Sequence, residues 1–150
     1  PGAWAGLAQA QMDIMGFEAW AAFAPERNSQ ANRFSPAFAD VLAGGAGVTG
    51  ARLADAHALA IHARGEIESL LQQVDVLIAP SATGEAPLGL DATGNPIFSR
   101  MWSLLGVPCV HVPTGVGSHG MPVGVTVIGP RWRDAKALSA ALALEASVRG

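Results

Sequence analysis

Cys109 and His111 stand two apart in a β-branched stretch, and their types could supply a nucleophile and its base. Alternation along a strand puts both side chains on one face. That chemistry needs a thiolate, held by a helix N-terminus or a nearby cation, and the sequence shows neither. Their apolar setting predicts a buried central strand, because cysteine is among the most buried residue types. The pair is read as structural. Asp55, His57, His62 and Glu66 share one helical segment and invite a metal reading. Histidines five apart point about 140° apart at ~100° per residue, unlike the i, i+4 pair of a zinc helix. A solvated helix face is the simpler reading. Ser118-His119 lies in Gly115-Val-Gly-Ser-His-Gly120, but neighbours in a turn rarely act as nucleophile and base, and the nucleophile-elbow spacing is absent. Those glycines precede a strand, whereas phosphate loops open a helix. They are expected to form a hairpin loop. Lys136, the single lysine, reads as a surface charge.

The elements that must carry these residues alternate between helix and strand. Residues 3–24 have loose helical spacing up to Pro25, and Pro25–Gln30 reads as a loop. Ser35 caps a helix with Pro36 at its first position, and the glycines at 44–47 end it. Thr49 caps the longest helix, to about Gln73, with Leu53, Ala56, Ala60, Ala63, Ile67 and Leu71 as its buried stripe. A short strand over 74–79 is stopped by Pro80. The Gly- and Pro-rich run 80–94 is long for a connection inside a compact domain, a sign of function or mobility. Asn95-Pro96 starts a helix that Gly106 ends in the left-handed conformation. Strands at 109–113 and 122–128 flank a Gly-rich connection and are expected to pair antiparallel. Asp134 caps the last helix, along which Leu138, Ala141, Leu142, Glu145 and Val148 are spaced. The prediction is an α/β architecture with a mixed sheet flanked by helices.

Composition narrows the function classes. Half the residues are hydrophobic and the formal net charge is −3, from sparse, scattered charges. No basic run interleaved with aromatics suggests a nucleic-acid partner. The apolar stretches fall short of the ~20 residues of a membrane span. One cysteine cannot form an internal disulfide, which fits a reducing, cytoplasmic setting.

Four motifs in order carry a family resemblance. Trp102-Ser-Leu-Leu-Gly-Val-Pro-Cys-Val-His-Val-Pro113 resembles the G-x-P-x-x-x-x-P passage near the end of amidase signature enzymes. Met121-Pro-Val-Gly-Val-Thr-Val-Ile-Gly129 is similar to that family's Gly-Leu-Pro-Val-Gly…Ile-Gly strand. Asp75-Val-Leu-Ile-Ala-Pro80 looks like its D-x-L-x-x-P strand, and Phe34-Ser-Pro-Ala with the turn before Thr49 like its preceding helical region.

The resemblance implies hydrolysis of a small carboxylic amide, to the acid and ammonia or an amine, by a Ser–Ser–Lys triad. In that family a lysine is the base, a bridging serine in a cis peptide relays the proton, and a second serine attacks. A Gly-Ser-rich loop serves the oxyanion. These groups lie in the front part of the family's chain. No GSSGGS-like stretch and no matching lysine occurs here, so no residue is carried over as catalytic. The chain starts at Pro1 and reads over residues 1–150 as the C-terminal portion of one such domain, inactive alone. Its expected partner is the N-terminal part of the same enzyme; oligomerisation stays open. No cofactor or metal is implied. Pro80 and Ser81, leaving a strand end where α/β folds place ligands, are expected in the substrate-pocket wall. Phe98 and Trp102 lie on the helix after the long loop and are further wall candidates. Core is the competing reading, equal for Trp102 and favoured for Phe98. Ser103, where transamidating members have Asn, and Thr126, in place of a frequent Gln, favour the stand-alone hydrolases. The transamidating component of a tRNA-dependent amidotransferase and a non-catalytic α/β binding module are the alternatives.

Overall fold

Small residues let helices approach closely in the first part of the chain, and β-branched residues build a sheet in the second. The computed structural model describes residues 4–150, so the expected helix start at residue 3 lies outside the described residues. The chain divides into two compact units, Pro1–Ala63 and Arg64–Gly150.

In the first unit, α1 (Leu7–Ala22) buries Leu7, Ala10, Asp13, Ile14 and Gly16. The segment expected as a loop is instead helical: α2 (Ala24–Gln30), followed by a 3-10 turn over Ala31–Arg33. Proline in a first turn forfeits no helical hydrogen bond. Ser29 Oγ donates to Pro25 O at 2.8 Å, and the Arg27 guanidinium lies 3.2 Å over the Trp20 ring. These local ties extend the helical path where apolar periodicity fades.

Ser35 caps α3 (Pro36–Ala46) as expected, its Oγ accepting from Phe38 N–H at 3.3 Å. The helix continues through Gly44 and Gly45 rather than stopping there. Gly45 sits against α1, where a Cβ would collide with Gly16 O. Glycine is used here for close approach, not for termination. Thr49 Oγ1 accepts from Arg52 N–H at 3.2 Å and opens α4 (Gly50–Leu70), three residues shorter than expected. Ala56, Ala60 and Ala63 form its buried stripe, continued by Ile67 and Leu71 in the second unit. Arg52 holds the buried Asp13 through two 2.7 Å hydrogen bonds, which keep that carboxyl below its usual pKa.

The second unit is built on β1 (Leu77–Pro80), β2 (Cys109–Val116) and β3 (Pro122–Ile128), in the order β1-β3-β2. Among the described residues both pairings are antiparallel, so the α/β architecture holds while the sheet is antiparallel rather than mixed. The expected β2–β3 hairpin is present, with a register irregularity between Pro113 and Gly115. Among the described residues β2 lies at the edge of the sheet rather than at its centre, and Cys109 on it is exposed rather than buried. β1 starts three residues later than the sequence suggested.

α5 (Ile97–Leu105) begins where Asn95 Oδ1 accepts from Ile97 N–H at 3.1 Å, and it ends at Gly106 with φ 67°. α6 (Asp134–Arg149) packs on one sheet face through Ala140, Ala141 and Leu144, against Val110, Val112, Val125 and Val127. Leu138 and Leu142 are exposed, because the thin alanine face allows closer contact with the sheet. Asp134 is the first helical residue and makes no capping bond; the cap position is Arg133.

Two substitutions test this packing. Gly45→Ala should destabilise the protein by about 2 kcal/mol in chemical denaturation, because backbone cannot yield as a side chain can. Trp102, 6% exposed, should cost about 3–5 kcal/mol as Trp102→Ala. Unchanged midpoints would contradict either placement.

Candidate active-site wall

Strand register assembles a polar cluster that no single motif contains. Thr126 of β3 faces Ala79 of β1 on one side and His111 of β2 on the other. Side chains alternate along strands, so Thr126 and His111 lie on the sheet face away from α6. Ser81 follows β1, anchored by its N–H to Gly124 O at 3.2 Å. Ser81 Oγ stands 2.6 Å from His111 Nδ1 and 2.8 Å from Thr126 Oγ1. Gly124 makes the arrangement feasible: a Cβ there would meet His111 Cε1 at 2.7 Å and collide with Val112 O. The imidazole is thereby fixed at one ring nitrogen and by the backbone beside it. His111 is exposed and Ser81 half-buried.

A second polar centre joins the long loop to the hairpin. The Glu85 carboxylate accepts from His119 N–H at 2.9 Å and Met121 N–H at 3.1 Å, and Ser118 Oγ donates to it at 3.3 Å. The His119 N–H bond is the leading cause that holds the Glu85 carboxyl below its usual pKa, against the opposing effect of desolvation. Gly117 leaves room for the carboxylate, since a Cβ there would collide with it. Beside this clasp lies a cavity of about 810 Å³, with Pro87, Leu88, Met121 and Val123 among its lining residues. Ser118 Oγ does lie 3.2 Å from His119 Nδ1, but Glu85 Oε1 approaches that same nitrogen at 3.6 Å. Both groups crowd one end of the ring, so no base-and-orienter relay forms. The three close a loop.

The expected wall residues are not placed alike. Pro80 is exposed and Ser81 half-buried at the end of β1; Phe98 is half-buried and Trp102 buried on α5. The structure links Ser81 to His111 and Thr126, a connection that sequence reasoning missed. Glu85 was missed as well, lying in a loop without periodicity. Cys109 donates to Val107 O at 3.7 Å, and desolvation raises its thiol pKa, so the thiolate is disfavoured. Lys136 pairs with Asp75 at 2.7 Å and lowers that carboxyl. Among the described residues, no three His, Cys, Asp or Glu side chains converge to hold a metal ion. None of the described helices is long and apolar enough to cross a membrane.

The Amidase family profile matches residues 26–138. The glutamyl-tRNA(Gln) amidotransferase A-type chain of Novosphingobium aromaticivorans is 36% identical over 91 residues, 56% of this chain and 18% of that protein. A Mycobacterium bovis protein provisionally named amidase AmiA2 is 34% identical over 92 residues, 53% of this chain and 19% of its own. A crystal structure of an amidase superposes with a TM-score of 0.85 at 28% identity, covering 95% of this chain and 35% of that one. An inhibitor-bound vestigial protein complex, described as revealing the evolutionary origins of an s-triazine catabolic enzyme, does so at 0.84 and 26%, covering 98% of this chain and 35% of that one. The matched part is thus about a fifth of the curated relatives' length.

The clasp predicts a pH dependence. A lowered carboxyl pKa means that the Glu85 contribution is fully present above the unfolded-state pKa. It is lost as pH falls through the lower folded-state value. Amide hydrogen exchange at His119 and Met121 should accelerate in that acid range, and Glu85→Gln should accelerate it already at neutral pH. Exchange independent of both would show that the loop is held by other contacts.

Proposed function

The chain belongs to the amidase family, and on that footing we propose that it is the C-terminal part of an enzyme hydrolysing a carboxylic amide to the acid and ammonia or an amine. This part supplies core and substrate-pocket wall; the nucleophile, base and oxyanion donors come from the N-terminal part of the same enzyme. The observation that carries the reading is the match to a solved amidase over 95% of this chain but only 35% of that one. A relative of that fold brings most of its residues from elsewhere. The sheet supports the same reading. β1 and β2 each have one edge unpaired among the described residues, and such edges are templates for further strands.

Pro80 and Ser81 are the foremost wall residues, and the half-buried Phe98 of α5 is a further one. The buried Trp102 contributes from the core side. Cleavage follows the general course of acyl transfer. An activated serine attacks the amide carbon, backbone N–H groups stabilise the oxyanion, the amine leaves, and water releases the acid. Wall residues act by fixing the acyl group at attack distance.

A transamidating component of a tRNA-dependent amidotransferase is the second reading, since the 36%-identical relative carries that name. Glutaminase activity seen only in the presence of partner proteins would select it.

The purified 150-residue chain should show no saturable amide hydrolysis. The complete protein containing it should release ammonia or amine and be blocked by a serine-directed phosphonate. Turnover by the isolated chain would refute the division of labour. Lack of turnover by the complete protein on any amide would refute the hydrolase reading.

A further inference from the structure

The Ser81–His111–Thr126 cluster allows one assignment of protons that satisfies every hydroxyl. Ser81 Oγ has one proton and two neighbours, His111 Nδ1 at 2.6 Å and Thr126 Oγ1 at 2.8 Å. Suppose Nδ1 carried the imidazole proton and donated to Ser81. Ser81 would then donate to Thr126, and the half-buried Thr126 hydroxyl would have no acceptor among the described residues. In the other direction Thr126 donates to Ser81, Ser81 donates to Nδ1, and no proton is stranded. That direction fixes the neutral tautomer with its proton on Nε2. Nε2–H has no partner among the described residues, and it belongs to an exposed ring held in place beside Gly124.

We infer that His111 is a substrate-binding residue whose Nε2–H donates to a second carbonyl oxygen of the substrate, one other than the amide being cleaved, with Ser81 and Thr126 as its positioning residues. The inference rests on the amidase reading and deepens it to a substrate class: amides bearing another carboxamide or ester carbonyl. One observation and one consequence of the proposed mechanism point there. First, the donor is neutral and directional, and the other residues paired in register on this face are Leu77, Ala79, Cys109, Pro113, Gly124 and Ile128, none of them basic. A neutral oxygen suits such a site better than a carboxylate, which would call for a cation. Second, the reacting carbonyl is served by backbone donors outside this chain in the proposed mechanism, so a donor here is free for a different oxygen.

The test compares succinamide with butyramide, which lacks the second carboxamide, on the complete protein. Binding is read by NMR titration, and turnover separately by ammonia release. The protein should prefer succinamide, and His111→Asn, which keeps a group near the Nδ1 position but removes the distal donor, should reduce that preference by about tenfold or more through Kd and KM rather than kcat. His111→Gln, which restores a donor near Nε2, should recover most of it. Ser81→Ala should lower the preference in the same direction, by loosening the ring. An unchanged preference in His111→Asn would overturn the inference. So would equal losses on both amides with a lowered Tm, the mark of a purely structural histidine. Absence of turnover on these and on every other amide would refute the amidase reading alone, because the binding ratio is read without it.

Discussion

The pairing of β3 with strands on both sides is the constraint on which the rest of the second unit depends. One register sets Thr126 opposite Ala79 and His111 at once. Because side chains alternate with a period of two, a slip of one residue would turn His111 towards α6 and bring Val110 and Val112 across in the β2 pairing, or turn Ser81 and bring Ile78 across in the β1 pairing. The apolar face prevents that slip. Val112 and Val127 are buried against Ala141 of α6, and no polar residue could replace them there without an unsatisfied group. Hydrophobic packing on one side of the sheet therefore determines the polar geometry on the other.

Glycines serve this arrangement in ways that differ from their usual roles as helix or strand breakers. Gly124 admits the His111 ring, Gly117 admits the Glu85 carboxylate, and Gly45 admits the backbone of Gly16. Each marks a close approach of backbone or side chain, and each ties a distant segment in place. Glu85 has the longest reach of these ties, bringing the loop after β1 to the β2–β3 turn. A charged group accepting from backbone N–H groups is a strong, directional contact, able to order a stretch that has no strand or helix of its own.

Much of the fold was legible because local chemistry dictated it. Ser35 and Thr49 cap helices through their own side chains, Gly106 adopts the left-handed conformation, and the two β-branched runs around the Gly-rich turn pair as a hairpin. What escaped was decided by partners far along the chain. Cys109 looked buried because its neighbours are apolar, but among the described residues its strand lies at the sheet edge, a matter of strand order. Leu138 and Leu142 looked like a packing stripe, yet alanines one step round the helix make the contact. Pro25–Gln30 is polar enough to read as a loop, but an arginine stacked on Trp20 keeps it helical. Of the site, Ser81 could be nominated from its place after a strand. Its connection to His111, thirty residues away, and to Thr126, forty-five away, needed the register of three strands.

The central claim is that this chain forms a wall against which a nucleophile from another part of the protein works. The most direct measurement is a crystal structure of the complete protein trapped as a covalent acyl adduct. The account predicts the covalent bond on a serine outside residues 1–150, with the acyl group lying against Pro80 and Ser81. A bond to Ser81 or Ser118, or an acyl group remote from the end of β1, would contradict it.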